Sequence, residues 1–181
     1  MLTIAIPGAE DFNEATQEFI YHKEQTLVLE HSLVSLSKWE SKWCKPFISD
    51  DPMSWEETLD YIRCMTITKN IGPEVYERLT MENVKAIEEY INAPMTASTV
   101  NEKKSRKGGG NERVTSELIY YWMTALNIPF ECEKWHLNRL MMLIKIANIK
   151  NSPSKKMGRS EVLKQNAALN EARLKKLNTR G

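Results

Sequence analysis

Residues 114–151, VTSELIYYWMTALNIPFECEKWHLNRLMMLIKIANIKN, decide how the rest of the chain is read. The stretch reads as two helices joined at Asn127, Ile128 and Pro129. Thr115 or Ser116 supplies a capping oxygen, and Glu117 places a carboxylate at the positive helix end. Leu118, Trp122 and Leu126 recur every four residues and so share a face. Pro129 stops this helix and can open the next. In the second helix Leu137, Leu140, Met141, Ile144 and Ala147 form an apolar stripe opposite Glu131, Lys134, Asn138 and Lys145. The expectation is a helical hairpin over 116–149, with Trp122 and Leu140 on its inner faces.

Upstream, residues 36–93 are predicted helical. Ser37 to Glu40 and Ser54 to Glu57 have the Ser-x-x-Glu form of a capping box. The helix after Ser54 sets Trp55, Leu59, Ile62 and Met65 on one side. Gly72-Pro73 opens a short helix, and Thr80 caps another with Val84, Ile87 and Ile91 inside, closed by Pro94. Residues 1–30 are β-rich: MLTIAI (1–6) ends at Pro7-Gly8, and EFIYH (18–22) with TLVLE (26–30) suggests a hairpin turning at Lys23-Glu24-Gln25. Residues 95–115 suggest a second hairpin, 95–100 against 113–115, around the polar loop NEKKSRKGGGNE (101–112). After a linker at 152–156, Ser160 caps a final helix carrying Leu163, Ala167, Leu174 and Leu177. The fold class expected is α+β: a small N-terminal antiparallel sheet, a mainly helical body over 1–149, and a basic helical extension over 150–181.

The 181 residues suit one domain with extensions, and 41% apolar with 27% charged residues is ordinary for a globular protein. No apolar run approaches the length needed to cross a bilayer, and the N-terminus lacks the pattern of a signal peptide. Three dispersed cysteines fit reduced thiols better than a disulfide framework. The net charge of +1 hides an asymmetry. Residues 150–181 hold nine of the 25 basic residues and two of the 24 acidic ones, a net of +7 that leaves −6 on residues 1–149. A basic extension on an acidic body points to a negative partner: nucleic acid, an acidic protein, or the body of another copy.

Chemistry-bearing patterns are weak. Cys132 and His136 stand four apart, a metal-compatible spacing on a helix, but no second pair completes a ligand set. A nucleophilic Cys132 would need an oriented base and oxyanion donors that the pattern does not offer. The carboxylate pairs Glu56-Glu57 and Glu88-Glu89 read as solvated helix faces. The glycine run follows its basic residues, the reverse of a phosphate-binding loop. No catalytic, metal or cofactor-binding residue is therefore assigned, and no cofactor is expected. The partner-binding candidates are Trp39 and Trp43, because tryptophan is favoured at interfaces, and the basic residues Lys155, Lys156, Arg159, Lys164, Arg173, Lys175 and Lys176.

The segments HSLVSLSKWESKWCKPF (31–47), ELIYYWMTALNIPFECEKWHLNRL (117–140) and NIKNSPSKKM…NAALNEAR…LNTRG near the end resemble tail assembly chaperones of long-tailed bacteriophages. The loop at 101–112 has no counterpart in that pattern. The resemblance implies a non-enzymatic protein of the infected host cytoplasm that binds tape-measure or tail-tube proteins during tail assembly, with self-association a further expectation. It brings no catalytic residues. Two other readings stay open: a structural virion component at the head–tail or tail region, and a nucleic-acid-binding accessory protein using the basic loop and extension. No membrane partner is expected.

Overall fold

The computed structural model describes residues 1–13, 17–49, 51–99, 113–151 and 159–177. The fold is α+β: antiparallel strands at the N-terminus, then a mostly helical body. The chain divides into two units, Met1–Ile149 and Lys150–Gly181.

Four strands, β1 (Leu2–Ile6), β2 (Ala9–Asn13), β3 (Glu18–His22) and β4 (Gln25–Leu29), pair as β1 with β4 and β2 with β3. Ile6 lies opposite Gln25 and Ala9 opposite His22, so both ladders keep one register. They are the inner and outer halves of one long hairpin. This corrects the expected turn at 23–25: Lys23-Glu24 is a break within one arm, facing Pro7-Gly8 in the other. Proline cannot donate to the ladder there. Gly8 is required because a Cβ would come within 2.9 Å of the His22 carbonyl oxygen. The chain reverses between Asn13 and Glu18 instead, and Gln17 takes a left-handed φ of 52°.

Helix α1 (Leu33–Trp43) stands between two cores. Its N-terminus is a reciprocal box in which Ser32 Oγ accepts from Ser35 N–H and Ser35 Oγ accepts from Ser32 N–H. The expected Ser37–Glu40 box is not used, because the helix has already begun four residues earlier. The first core joins Ile4, Ile6, Leu27 and Leu29 of the inner hairpin to Trp39 and to residues of α2 (Trp55–Met65), α3 (Glu74–Glu77) and α4 (Met81–Asn92). Helix α2 is capped by Ser54 and Glu57 as its sequence predicts, and α4 by Thr80 with Asn83. Trp55, expected inside, is 56% exposed, and Tyr61 takes the inner position. Residues 95–99 and 113–115 form no strand, so the second hairpin is not present among the described residues; the loop at 101–112 lies outside them.

The second core packs Leu33 and Leu36 of α1 against α5 (Ser116–Ala125), a 3-10 turn (Phe130–Lys134) and α6 (Leu137–Asn151). The helical hairpin over 116–149 is therefore present but reaches its second helix later than expected. Ile119 and Met123 are its fully buried α5 residues, while Trp122 is half-buried at the edge; Leu140 is fully buried. The buried face of α5 is thus rotated by one residue from the sequence-based expectation. Residues Arg159–Leu177 form α7, a 19-residue helix in the second unit.

Candidate interaction surfaces

Of the two tryptophans offered as partner anchors, Trp39 is buried and Trp43 half-buried. Trp39 is 2% exposed, and its indole N–H donates to the Glu57 carbonyl at 2.9 Å. It therefore cannot meet a partner, and its assignment as an anchor is corrected. Trp43 stacks on Trp39 with ring centroids 6.2 Å apart, donates its N–H to Asp60 Oδ2, and has Lys42 and Lys45 over its ring. Burial pushes the Asp60 carboxyl up, but hydrogen bonds from Lys42 and Trp43 outweigh it and hold the group below the usual carboxylate range. Glu57, expected on a solvated face, is buried. Lys45 binds it, with further support from the Ser54 N–H, and keeps its carboxyl low. These contacts tie α1 to α2.

Cys132 and His136 do not share a helix. Cys132 sits in the 3-10 turn within the second core, and burial raises its thiol pKa. His136 lies in an extended bridge to Ser32, just before α6. A helical four-residue spacing cannot apply across those two backbones. His136 Nε2 meets the Tyr90 carbonyl at 3.0 Å and so must carry the proton, leaving Nδ1 to accept from the Asn138 N–H. Its ring meets His31 edge to face at 5.0 Å, and His31 Nδ1 bonds the Tyr61 hydroxyl at 2.6 Å. Burial, then the neighbouring His136, lowers the His31 pKa to about 3; burial lowers His136 as well. Both rings are neutral structural connectors between the two cores. Among the described residues no group of three His, Cys, Asp or Glu could hold a metal, and no helix is long and apolar enough to cross a membrane.

A cavity of about 220 Å³ is lined by Trp39, Lys45, Phe47, Met53, Glu57 and Arg113 among others. It falls below the usual range for small-molecule sites, about 300–1,000 Å³, and its Lys45 and Glu57 already pair with each other.

Apolar surface lies open elsewhere. On the outer hairpin Phe12 is 52%, Phe19 59% and Tyr21 69% exposed, and the Phe12 and Phe19 rings lie 5.0 Å apart across the strands. Tyr121 on α5 and Phe130 in the 3-10 turn are also exposed. Neither set was singled out from sequence. Neither strand alternates in sequence, AEDFN having one large apolar residue and EFIYH three in a row, so the pairing of Phe12 with Phe19 becomes readable only from the register. Of the basic candidates, Lys164, Arg173 and Lys176 are exposed on α7. Arg159 and Lys175 belong to that helix by backbone, while Lys155 and Lys156 lie outside the described residues.

The fold and these surfaces define a small α+β protein with open aromatic patches. Comparison with protein-family models, curated proteins and solved structures finds no match.

Proposed function

We propose that this chain is a non-enzymatic assembly protein of a long-tailed phage, acting in the infected cytoplasm by binding tail proteins, in the manner of a tape-measure chaperone. The observation that carries the reading is the exposure of the Tyr121 and Phe130 rings on the second core's outer side, 66% and 57% open to solvent. Large aromatic side chains left open on a small protein suit contact with other proteins. The buried polar groups Glu40, Glu57, Asp60, His31 and His136 are occupied in holding helices together, so the reading asks no chemistry of them. The tryptophan-rich segments that resemble tail assembly chaperones agree with it.

Co-expression with the tape-measure protein of the same phage tests the proposal. The intact chain should keep that protein soluble, and Tyr121→Ser with Phe130→Ser should lose the effect without loss of thermal stability. Mass spectrometry of purified virions should find the chain absent; a fixed stoichiometric presence would replace this reading with that of a structural virion component.

A further inference from the structure

The outer hairpin continues the buried face of the inner one. Leu2, Ile4 and Ile6 alternate on β1, and two-residue steps from Ile6 lead through Gly8 to Glu10 and Phe12. On the other arm Leu29, Leu27 and Gln25 lead in the same phase to Tyr21 and Phe19. Ile4, Ile6, Leu27 and Leu29 are in the core, whereas Phe12, Phe19 and Tyr21 are open to solvent. The ribbon is also acidic. Residues 9–24 carry Glu10, Asp11, Glu14, Glu18 and Glu24 against Lys23 alone, a net of −4.

Helix α7 has the opposite character. Residues 159–177 hold Arg159, Lys164, Arg173, Lys175 and Lys176 against Glu161 and Glu171, a net of +3. Leu163, Leu174 and Leu177 are 62%, 40% and 70% exposed and recur at helical spacing on one side. The stripe is thin, since Leu169, also exposed, lies off it; a helix with its leucines open is stabilised by a surface that covers them.

We propose that the aromatic face of the β2–β3 ribbon binds helix α7 of a second copy, making a head-to-tail contact between chains. Leu163 to Leu177 spans roughly 21 Å along a helix axis and a five-residue strand roughly 16 Å, so the ribbon covers most of the stripe. The face of a two-stranded ribbon is about as wide as one helix. A second ribbon is excluded as the occupant by charge, because each carries −4. A head-to-tail contact leaves a free ribbon and a free helix on every assembly, so it extends until a ring closes or a partner stops it. The contact goes beyond the function proposed above and is independent of what Tyr121 and Phe130 bind.

The test is made on the purified full chain and full-length variants, without any tail protein, by sedimentation velocity. The intact chain should exceed the 21.0 kDa of one copy, with an average mass that rises with concentration and falls as salt is added. A ribbon variant (Phe12→Ser, Phe19→Ser, Tyr21→Ser) and a helix variant (Leu163→Ser, Leu174→Ser, Leu177→Ser) should each be monomeric. Mixed, they should form a 1:1 dimer and nothing larger, since each supplies the half that the other lacks. A monomeric intact chain at every concentration overturns the proposal. So does a helix variant that still associates alone, or a mixture that stays monomeric. Failure of the intact, self-associating chain to keep the tape-measure protein soluble would count against the proposed function and leave this contact standing.

Discussion

The Glu40 carboxylate accepts the backbone N–H of Ser116 at 2.7 Å, from a helix that begins 76 residues later in the chain. Its other oxygen accepts the Phe47 N–H at 2.8 Å. One buried side chain thus satisfies an orphan donor at the start of α5 and fixes the loop that leaves α1. A carboxylate at a helix N-terminus is also favoured by the helix dipole. Glu40→Ala should cost about 2–4 kcal/mol, because one buried and one part-buried donor lose their acceptor. Glu40→Gln, which keeps one acceptor oxygen, should cost less. Chemical denaturation of the three proteins checks the order; equal midpoints would remove the bridge from the account of stability.

The buried face of α5 and α6 gives a second expectation. Met123→Ala and Leu140→Ala should each cost about 2–5 kcal/mol, the range for large buried side chains, since both are fully buried. Trp122→Ala should cost less than its size suggests, because the ring lies at the edge of the core. Thermal unfolding of the three variants decides it. A Trp122 variant as unstable as Leu140→Ala would place the face where the four-residue spacing alone puts it.

That case marks where the sequence was legible. The stripe on α6, the Ser54–Glu57 and Thr80 caps and the α+β class follow from local patterns, which carry their own signal. Leu118, Trp122 and Leu126 mislead because two adjacent helical stripes are both apolar, and only packing on Leu33 and Leu36 selects Ile119 and Met123. The hairpin was misplaced because its reversal carries neither Asn-Gly nor glycine, whereas Pro7-Gly8 and Lys23-Glu24 resemble punctuation and lie within the arms. Glu40 reads as a cap and Glu57 as part of a solvated pair because their partners, Ser116 and Phe47 for one and Lys45 for the other, belong to segments outside the helix that carries each. Tryptophan count likewise says nothing about which ring, Trp39 or Trp43, faces inward.

The histidine pair sets a pH dependence. The folded pKa of His31 is about 3 against a usual 6.5, and His136 is lowered too. Between those values the unfolded chain binds protons that the native state refuses, so stability rises with pH. It should be fully present above pH 6.5 and decline on acidification by up to about 1.4 kcal/mol per pH unit for each histidine. The carboxylates Glu57, Asp60 and Glu117 are held low and add to the loss only below their usual range. The window from pH 6.5 to about 5 therefore belongs to the histidines. Urea midpoints should fall on acidification across that window for the native protein and fall less steeply for His31→Gln, which keeps His136. A flat native profile would mean that the rings admit protons without opening the junction.

The last prediction concerns the basic extension. Both cores are complete by Ile144, and among the described residues no member comes from 150–181. A chain ending at Asn151 should therefore unfold at an unchanged denaturant midpoint; a large drop would make the extension part of the fold. Its +7 charge also makes nucleic acid a competing target. Contacts to phosphate weaken steeply with salt, and purely non-specific binding at physiological salt lies at about 10⁻⁴–10⁻⁶ M. The intact chain, titrated with duplex and single-stranded DNA near physiological salt, should stay within or above that range. On α7 Lys164, Arg173 and Lys176 accompany exposed leucines, which suit a protein surface better than a phosphate backbone. Binding tighter than about 1 μM that disappears in the chain ending at Asn151 would exceed the non-specific range and assign the extension to nucleic acid.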